Sequence, residues 1–539
     1  MLIIPLLTTL SGEDGGTGIA YIVNQVLATV HIPTTIGSLL TIFVSVIVAR
    51  SALQFLKDRT SIRLMHHVID KFRVACVNQL LRADWRWVID QKRTDHMNLV
   101  MSEVSRVGTG LNSAVAMMTG IATVLAYWTA AFLISPWTAL CIAVAGGIGY
   151  AAMYRIRRNA TRLGQAQVAT SRNLMGDVQQ SFAGLKLAKV LKNENHHSDF
   201  IVDTIGRFRQ VQVQYSTEAS AMQGIQQVIA SLCLAAYIFV GVTILDLPLP
   251  ELLTLALLFS RLLPMMMSIQ RSLHGWLNAV PALAAIEQFL HESDLHKEPA
   301  YDPDAPTLQV RDAVELRGVS LRYTQREFAA LNDVSVRFPA QTTTAIIGTS
   351  GSGKSTLADV LMGLLRVDSG ALIVDGKPLT GSQLHQWRGA VAYVPQEVFL
   401  YHDTVRANLL MARRDATEAD MEEALKKAAA GFVLELADGL DSIVGDNGLR
   451  LSGCERQRIA LARAMLQHPE VLILDEATSA LDSKTERDIR DALQTLHGDM
   501  TIVLISHRDT TLEHADQVIV LKEGRVAAQG SWDEVQDAR

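Results

Sequence analysis

Residues 345–356 read AIIGTSGSGKST and decide the fold of the second half of the chain. The apolar start predicts a buried strand that leads directly into G-x-x-x-x-G-K-S, the pattern of a phosphate-binding loop followed by a helix. Glycines let the backbone approach phosphates, while successive N–H groups and the helix N-terminus provide positive potential. We predict that Lys354 reaches the terminal phosphates and that the Ser355 hydroxyl binds Mg²⁺. The other predicted nucleotide contacts in this phosphate loop are Gly348, Ser350, Gly351, Gly353 and Thr356.

A second motif, VLILDE at residues 471–476, is an apolar run that ends in two acids. In a protein with a phosphate loop, Asp475 at the end of this strand is placed to hold Mg²⁺ through water, and Glu476 to polarise the attacking water. Without that loop, a solvated acidic strand end would be the ordinary interpretation. Short β-rich runs alternate with helical ones from Leu308 onward, which predicts an α/β nucleotide-binding domain.

Residues 451–458, LSGCERQR, resemble the signature sequence of the ATP-binding cassette (ABC) family. The whole chain, with an apolar half before the phosphate loop, is similar to bacterial half-transporters of the exporter type. This resemblance implies ATP and Mg²⁺ as cofactors, with Lys354, Glu476 and His507 as catalytic residues. It also implies adenine stacking by Tyr323, Mg²⁺ sensing by Gln396, a dimer-crossing loop at Asp482, γ-phosphate contact by His507, and contact of Ser452 and Gly453 with nucleotide.

The cassettes of this family act as head-to-tail dimers, so one cassette per chain implies two chains. Because Glu476 and His507 are both present, a homodimer with two active sites is the simplest assembly, and a heterodimer with another half-transporter is the alternative. Cys454 stands where most family signatures have a second glycine. A side chain there would crowd the closed dimer or need a backbone angle that glycine tolerates better, so we expect reduced hydrolysis.

The composition excludes several classes of protein. Of 539 residues, 49% are hydrophobic and 19% are charged, and the mean hydropathy is +0.19. This is too apolar for an ordinary soluble enzyme of this length, and it excludes a disordered chain. The net charge of −6 gives no indication of a nucleic-acid partner.

Runs with few or no charges in the first half predict membrane-spanning helices, each of about 20 residues. Residues 111–154 contain no Asp, Glu, Lys or Arg, which is enough for two spans. Three further spans are predicted at residues 34–49, 219–245 and 252–270. Residues 1–10 are apolar but too short to cross, and we interpret them as the remnant of a first span, whose start lies upstream or whose helix is stunted.

The basic residues predict the orientation. Residues 54–110 and 155–209 are rich in Lys and Arg, whereas the short loops on the other side contain neither. The positive-inside rule therefore places both basic segments and the C-terminal half in the cytoplasm. These segments are either amphipathic linkers or membrane helices that extend far into the cytoplasm. Within them, residues 82–107 and 174–200 resemble the two intracellular loops whose short helices dock on the cassettes of exporters.

The predicted fold class is multi-domain, with an all-α transmembrane helix bundle followed by an α/β P-loop NTPase cassette. The predicted domains are a transmembrane domain at 1–290, a linker at 291–312 and an ABC ATP-binding domain at 313–539. The resemblance implies a multi-pass protein of the bacterial inner membrane, with the lipid bilayer as a partner and the ATPase domain in the cytoplasm.

The predicted function is an ATP-driven exporter, an ATP hydrolase coupled to transport by alternating access. Its substrate would be hydrophobic or amphipathic, and lipid, lipid-linked saccharide, peptide and drug remain open. The alternative is an ATP-binding membrane regulator or a catalytically weakened partner in a heterodimer, supported by Cys454 and the short first span. Arg261, close to Pro264 in the last span, either contacts an anionic substrate or pairs within the bundle.

Overall fold

The computed structural model describes residues 36–134, 166, 169–171, 173–243, 249–300, 307–324, 328–476, 491–506 and 512–536. It confirms the predicted fold class, because the N-terminal part is helical and the C-terminal part is α/β with sheets. The predicted remnant of a first span at residues 1–10 and the predicted site residues Asp482 and His507 lie outside the described residues.

The chain divides into two compact units. The first comprises Met1–Val77 and Arg93–Leu290, and the second comprises Asn78–Lys92 and His291–Arg539. The short segment Asn78–Lys92, which the sequence analysis included in the transmembrane domain, therefore packs with the unit that contains the phosphate loop. We call this second unit the cassette unit.

The N-terminal half contains both long and short helices. In chain order the helices are α1 (Ile36–Arg82), α2 (Trp85–Asp90), α3 (Arg93–Asn98), α4 (Val104–Ile134), α5 (Leu185–Val190), α6 (Glu194–Thr243) and α7 (Leu249–Leu295), with a π-helix at Leu99–Glu103. Helix α1 has 47 residues and therefore a length of about 70 Å at 1.5 Å per residue. Because the hydrocarbon core is about 30 Å thick, such a helix continues well beyond it.

The described parts of the predicted spans lie in α1, α4, α6 and α7. Within the described residues, two helical stretches are long and apolar enough to cross a membrane, at Leu40–Arg82 and Asp95–Thr129, and a shorter apolar helix lies at Gln227–Val240. The predicted number of five spans stays a prediction, because much of the chain between α4 and α5 lies outside the described residues.

Polar contacts accompany the small apolar core of the first unit. Ile69 and Cys76 of α1 pack with Val104 of α4 and Ile286 of α7. Glu103 is buried, and its carboxylate pairs with the Arg106 guanidinium at 3.0 Å. A buried carboxylate is stable when an opposite charge compensates for its lost hydration, so this pair permits the acid to lie at the helix junction.

The cassette unit contains two sheets within the described residues. The first is antiparallel, in the order β2-β1-β4-β5, with strands β1 (Ala313–Leu321), β2 (Leu331–Pro339), β4 (Ser369–Val374) and β5 (Lys377–Pro378). The second has the order β10-β9-β3-β8-β7-β6, with β3 (Thr343–Ile347), β6 (Val391–Val394), β7 (Val471–Asp475), β8 (Thr501–Ile505), β9 (Gln517–Lys522) and β10 (Arg525–Gly530). Its neighbours are parallel except for β9 and β10.

Helices cover the larger sheet of the cassette unit. They are α8 (Lys354–Leu361), α9 (Gln383–Ala390), α10 (Val405–Leu410), α11 (Glu418–Lys427), α12 (Gly453–Met465) and α13 (Trp532–Val535), with short 3₁₀ helices at Gly431–Glu435, Gly439–Asp441 and Asp446–Gly448. The period-2 alternation of β3 directs Ala345 and Ile347 into the core beside α11 and α12, and Ile346 into the core beside α8.

Strand order determines where the two motifs meet. β3 and β7 both run parallel to β8, which lies between them. Parallel strands that point the same way end at one edge of the sheet, and ligands of such sheets bind outside the carboxyl ends of the strands. The phosphate loop after β3 and the acids Asp475 and Glu476 at the end of β7 therefore lie at the same edge.

Candidate functional site

The phosphate loop depends on glycines with left-handed backbone angles. Gly348 has φ +154° and Gly353 has φ +104°. A Cβ at Gly348 would lie 2.2 Å from the Leu521 carbonyl oxygen, and one at Gly353 would lie 2.5 Å from the Ala330 carbonyl oxygen. Both contacts are far closer than atoms allow, so only glycine permits the loop to fold tightly against its neighbours.

Lys354 begins helix α8, and its side chain is buried beneath the loop. Its Nζ donates to the carbonyl oxygens of Gly348 at 2.8 Å and Thr349 at 3.0 Å. Burial lowers the pKa of this ammonium group, while the nearby carboxylates of Glu476 and Asp475 act in the opposite direction. The loop's own carbonyls thus hold a cation at the N-terminus of a helix, where an anion would bind favourably.

Two further observations fit this loop to a phosphate group. Ser352 is buried, and its hydroxyl oxygen has no hydrogen-bond partner within the part of the chain that the structure describes. A buried polar atom without a partner is costly, so a ligand that supplies one is favoured. Ser355, the second residue of α8, is exposed and offers a hydroxyl of the type that binds Mg²⁺.

A cluster of acids, of which Asp475 is buried, lies at the end of β7. The Tyr393 hydroxyl donates to Oδ2 of Asp475 at 3.2 Å, and Asp475 is 8% exposed. Burial raises the pKa of the Asp475 carboxyl, the bond from Tyr393 opposes this, and the nearby Glu476 raises it further. Burial and the charge of Asp475 also raise the pKa of Asp359, on helix α8, to about 6. A bound cation would relieve this accumulation of negative charge.

Glu476 is held in an unusual conformation. Its φ is +48°, a left-handed angle that non-glycine residues rarely adopt. Its backbone N–H donates to the Ile505 carbonyl at 2.9 Å, and its Oε2 accepts a hydrogen bond from Nε2 of Gln396 at 2.6 Å. Strain of this kind persists where the surrounding structure fixes it, and it is concentrated at functional sites.

Tyr323 follows strand β1 and contacts the phosphate-loop helix. Its hydroxyl shares a hydrogen bond of 3.2 Å with Oγ1 of Thr356, and its ring packs against the core beside α8. A cavity of about 500 Å³ is lined by Tyr323 together with Arg86, Arg322, Thr324 and Asp368, among others. This volume lies within the range of small-molecule pockets.

The signature segment (residues 451–458) forms the start of helix α12. Ser452 is its N-cap: the Ser452 N–H donates to Oε2 of Glu455 at 2.7 Å, and the Glu455 N–H donates to Oγ of Ser452 at 3.2 Å. This reciprocal capping box satisfies the first turn locally. Cys454 lies inside the helix and is not among the residues with positive φ. The expectation that this position needs a glycine-like backbone angle therefore does not hold in this chain.

Comparison with known proteins identifies the family. Residues 7–266 match the family described as "ABC transporter transmembrane region", and residues 331–479 match the family described as "ABC transporter". A protein of Chromobacterium violaceum named "ATP-dependent lipid A-core flippase" is 30% identical over 504 residues, which covers 90% of this chain and 84% of that protein. The chain belongs to the ABC transporter family.

Other similar proteins support the same assignment. A Yersinia pestis protein named "ATP-dependent lipid A-core flippase" is 34% identical over 373 residues, 66% of this chain, and the chain spans only 62% of that relative's length. A solved structure of a bacterial Atm1-family ABC exporter with ATP bound has a TM-score of 0.76 and 24% identity, with 100% of this chain and 96% of that chain covered. At this identity the likeness shows a shared fold.

The family also fixes the location of this ABC transporter. Because an ABC transporter membrane region is fused to an ABC ATPase domain, the transporter is a multi-pass protein of the inner membrane with its ATPase domain in the cytoplasm. This confirms the orientation that the basic segments predict.

The structure brings together most of the site residues that the sequence predicts. Lys354, Asp475, Glu476 and Gln396 lie at one edge of the sheet, and Tyr323 contacts Thr356. Ser452 instead makes its hydrogen bonds within the first turn of α12, the helix that begins at Gly453. Sequence reasoning missed Tyr393 and Asp359, because strand pairing and helix packing determine their position beside Asp475.

Proposed function

We propose that this ABC transporter is an ATP-driven exporter that moves an amphipathic lipid across the inner membrane, and that it acts as a homodimer. The observation that carries the proposal is the Gln396–Glu476 pair, with its 2.6 Å hydrogen bond, at the same sheet edge as Lys354 and Asp475. Such an arrangement is suited to nucleotide hydrolysis, and the membrane region gives that hydrolysis a mechanical use.

The roles proposed for these residues follow from their chemistry. Glu476 would orient the attacking water and accept its proton, and Gln396 fixes the direction of that carboxylate through its amide. Lys354, which its own loop holds in place, would neutralise charge on the terminal phosphates. We propose Ser355, Gln396 and Asp475 as the residues that hold Mg²⁺, which would supply further positive charge at the phosphates.

Two features of the single chain support a second copy. The signature segment is exposed at Ser452 and Gly453, so its backbone is accessible to a nucleotide on another cassette. Around helix α5, large apolar side chains are exposed in the single chain: Phe182 at 73%, Leu187 at 62% and Val190 at 71%. Because an exposed apolar patch indicates an interaction surface, we propose that the second chain's cassette covers α5.

The names of the relatives suggest the class of substrate. The proteins of Chromobacterium violaceum and Yersinia pestis are both named lipid A-core flippases, so we propose a lipid with a large polar saccharide head as the first candidate. Arg261, exposed on α7 of the single chain, is a candidate contact for an anionic head group. Faster movement of labelled phosphatidylethanolamine in the transport test below would indicate a lipid without a saccharide head.

The first experiment measures Mg²⁺-dependent ATPase activity of the purified chain in lipid nanodiscs. Glu476→Gln should lower the rate by about 10²-fold or more, the usual loss for a missing general base, while ATP binding is retained. Glu397→Gln, which changes an exposed glutamate beside Gln396, is the matched control and should leave the rate unchanged. Equal activity of wild type and Glu476→Gln would refute the proposed catalytic role.

A second experiment tests transport and assembly. In proteoliposomes, ATP should move a fluorescent core-bearing glycolipid between leaflets faster than a labelled phosphatidylethanolamine, and Glu476→Gln should abolish the difference. Light scattering in detergent should give the mass of two chains, and Leu187→Asp should reduce it to one, whereas Lys186→Asp on the same helix should not. A single-chain mass for the wild type would favour the alternative of a heterodimer partner or regulator.

A further inference from the structure

Helix α2 contacts the residues on both sides of Tyr323. The Arg86 guanidinium donates through Nη2 to the Arg322 carbonyl oxygen, and Oδ2 of Asp90 accepts a hydrogen bond from the Thr324 hydroxyl at 2.8 Å. Arg86 and Asp90 are four residues apart, so they lie on one face of the helix. That face therefore binds the chain immediately before and immediately after the tyrosine.

An acid completes the contact before the tyrosine. Nη1 of Arg86 donates to Oδ1 of Asp368 at 2.6 Å, and Oδ2 of Asp368 accepts from the Arg322 N–H at 2.8 Å. Burial alone would raise the pKa of Asp368, but the bonds from Arg86 and from the Arg322 backbone outweigh it and lower that pKa. One guanidinium thus joins two acceptors, the acid and the carbonyl, in a planar fork that lysine cannot reproduce.

The rest of the Asn78–Lys92 segment is held firmly in the cassette unit. Asp84 caps α2 by accepting from the Arg86 N–H at 2.9 Å, and its backbone N–H donates to the His296 carbonyl at 2.7 Å. The Trp87 ring stacks on the His296 ring with centroids 5.8 Å apart. Because these contacts do not involve Arg86 or Asp90 side chains, the helix would stay in place when either of those side chains is changed.

We propose that Arg86 and Asp90 are positioning residues that fix Tyr323 in the orientation that stacks on the adenine of ATP. This deepens the proposed function and rests on it, because Tyr323 matters only if the cassette binds ATP. Arg86 and Asp90 contact the chain on both sides of Tyr323, whereas the proposed phosphate contacts lie in the phosphate loop, so the two residues should affect affinity for the base and not for the phosphates. Arg86 also lines the cavity beside Tyr323.

Loss of these contacts would increase the conformational freedom of the chain at Tyr323. Tyr323 lies just after strand β1 ends at Leu321, where sheet hydrogen bonds no longer hold the backbone. Without Arg86, the Arg322 carbonyl loses its partner, and the tyrosine gains conformations that do not stack. Each such conformation lowers the fraction of binding-competent protein and raises the apparent dissociation constant in proportion.

The test compares ATP with inorganic tripolyphosphate, which has the phosphates but no base. Dissociation constants are measured by calorimetry on the whole detergent-solubilised chain for wild type, Arg86→Ala, Arg86→Lys, Asp90→Asn and Tyr323→Ala. Lys92→Ala is the control, because Lys92 is an exposed cation in the same segment. Thermal unfolding of each variant in the absence of ligand monitors folding.

The expected result is a rise of about ten-fold in the ATP dissociation constant for Arg86→Ala, the size of one lost charge-assisted hydrogen bond, with tripolyphosphate affinity unchanged. Arg86→Lys should recover only part of the lost ATP affinity. In a Tyr323→Ala background, Arg86→Ala should not raise the ATP dissociation constant any further. Equal losses for both ligands, or additive effects in the double variant, would overturn the proposal. Failure of the wild type to bind ATP at all would refute the proposed function instead, which makes the two failures distinguishable.

Discussion

Helices α8 and α12 of the cassette unit each have a glycine and a serine at their start, yet the N–H groups of their first turns are satisfied differently. Helix α8 begins after Gly353, whose φ is +104° and which provides no side-chain cap. Helix α12 begins after Ser452, whose side chain and backbone form a reciprocal capping box with Glu455. The N–H groups of α8 are therefore available to an external anion, whereas the first turn of α12 is already satisfied by its own residues.

This difference indicates which helix start can bind phosphate within one chain and which one depends on a second chain. The start of α8 lies under a loop that folds tightly by means of glycines, and it holds a buried lysine beside the two acids of β7. The start of α12 is stable without a ligand and presents exposed Ser452 and Gly453. A single chain should therefore bind the phosphates of ATP, while the α12 end should matter only when a second nucleotide site approaches it.

The largest expected effect is that of a methyl group added at Gly353, before the first turn of α8. Gly353→Ala would place a Cβ 2.5 Å from the Ala330 carbonyl oxygen at a left-handed φ, so ATP affinity should fall by about 100-fold, since strain and overpacking cost about 3 kcal/mol. Gly453→Ala is the matched control: its Cβ would lie 3.8 Å from Arg456, and ATP affinity should be unchanged. Nucleotide titration of both variants checks this.

Retained ATP binding by Gly353→Ala would break the comparison, because it would mean that the α8 terminus does not form the phosphate site. Loss of ATP binding by Gly453→Ala would also contradict the comparison, because α12 would then contribute to the nucleotide site of its own chain.

A smaller effect is expected from removal of the α12 cap. Ser452→Ala should destabilise the cassette by about 1 kcal/mol, as loss of an N-cap does, and should lower the ATPase rate by about ten-fold through one lost contact to a phosphate. Thr417→Ala removes the capping box of α11 and is the control. It should lower stability to the same extent without changing the rate. Equal ATPase rates for both variants would show that Ser452 has only a structural role.

A pH-dependent effect is expected at the acid inside α8. Because the pKa of Asp359 is raised from 3.8 to about 6 by burial and by Asp475, its ionised form is disfavoured by folding. Its contribution to stability is therefore most favourable below pH 4 and declines as the pH rises through the interval up to about 6. Asp359→Asn should raise the unfolding temperature at pH 7.5 in EDTA, and this gain should disappear towards pH 4. A gain that does not depend on pH would contradict this assignment.

The smallest effect is expected at Cys454. Its backbone is helical and its side chain packs against the core beside α11 and α12, so Cys454→Gly should cost up to about 1 kcal/mol of helix stability and leave the ATPase rate unchanged. Thermal unfolding and steady-state kinetics measure both quantities. A marked rise in rate would restore the view that the cysteine crowds the closed dimer and weakens hydrolysis.

The strands that the two motifs predict are confirmed, because each is specified by consecutive residues. The strand before the phosphate loop and the strand ending in Asp475 are present as β3 and β7, since a buried parallel strand is encoded by its own apolar run. Tyr393 and Asp359 were missed because nothing in their local sequence indicates that β6 pairs with β7 or that α8 packs beside it. The Arg86 contacts were missed for the same reason, since more than 200 residues separate Arg86 from Arg322.

The sequence by itself determined the family and the two-part architecture, because phosphate binding and membrane crossing each require a continuous pattern of residue types. Only the tertiary structure decided that Asn78–Lys92 packs with the cassette unit, that α2 binds on both sides of Tyr323, and that the start of α12 is capped by its own residues. These features depend on which distant surfaces meet when apolar faces are buried, and a single sequence does not record that pairing.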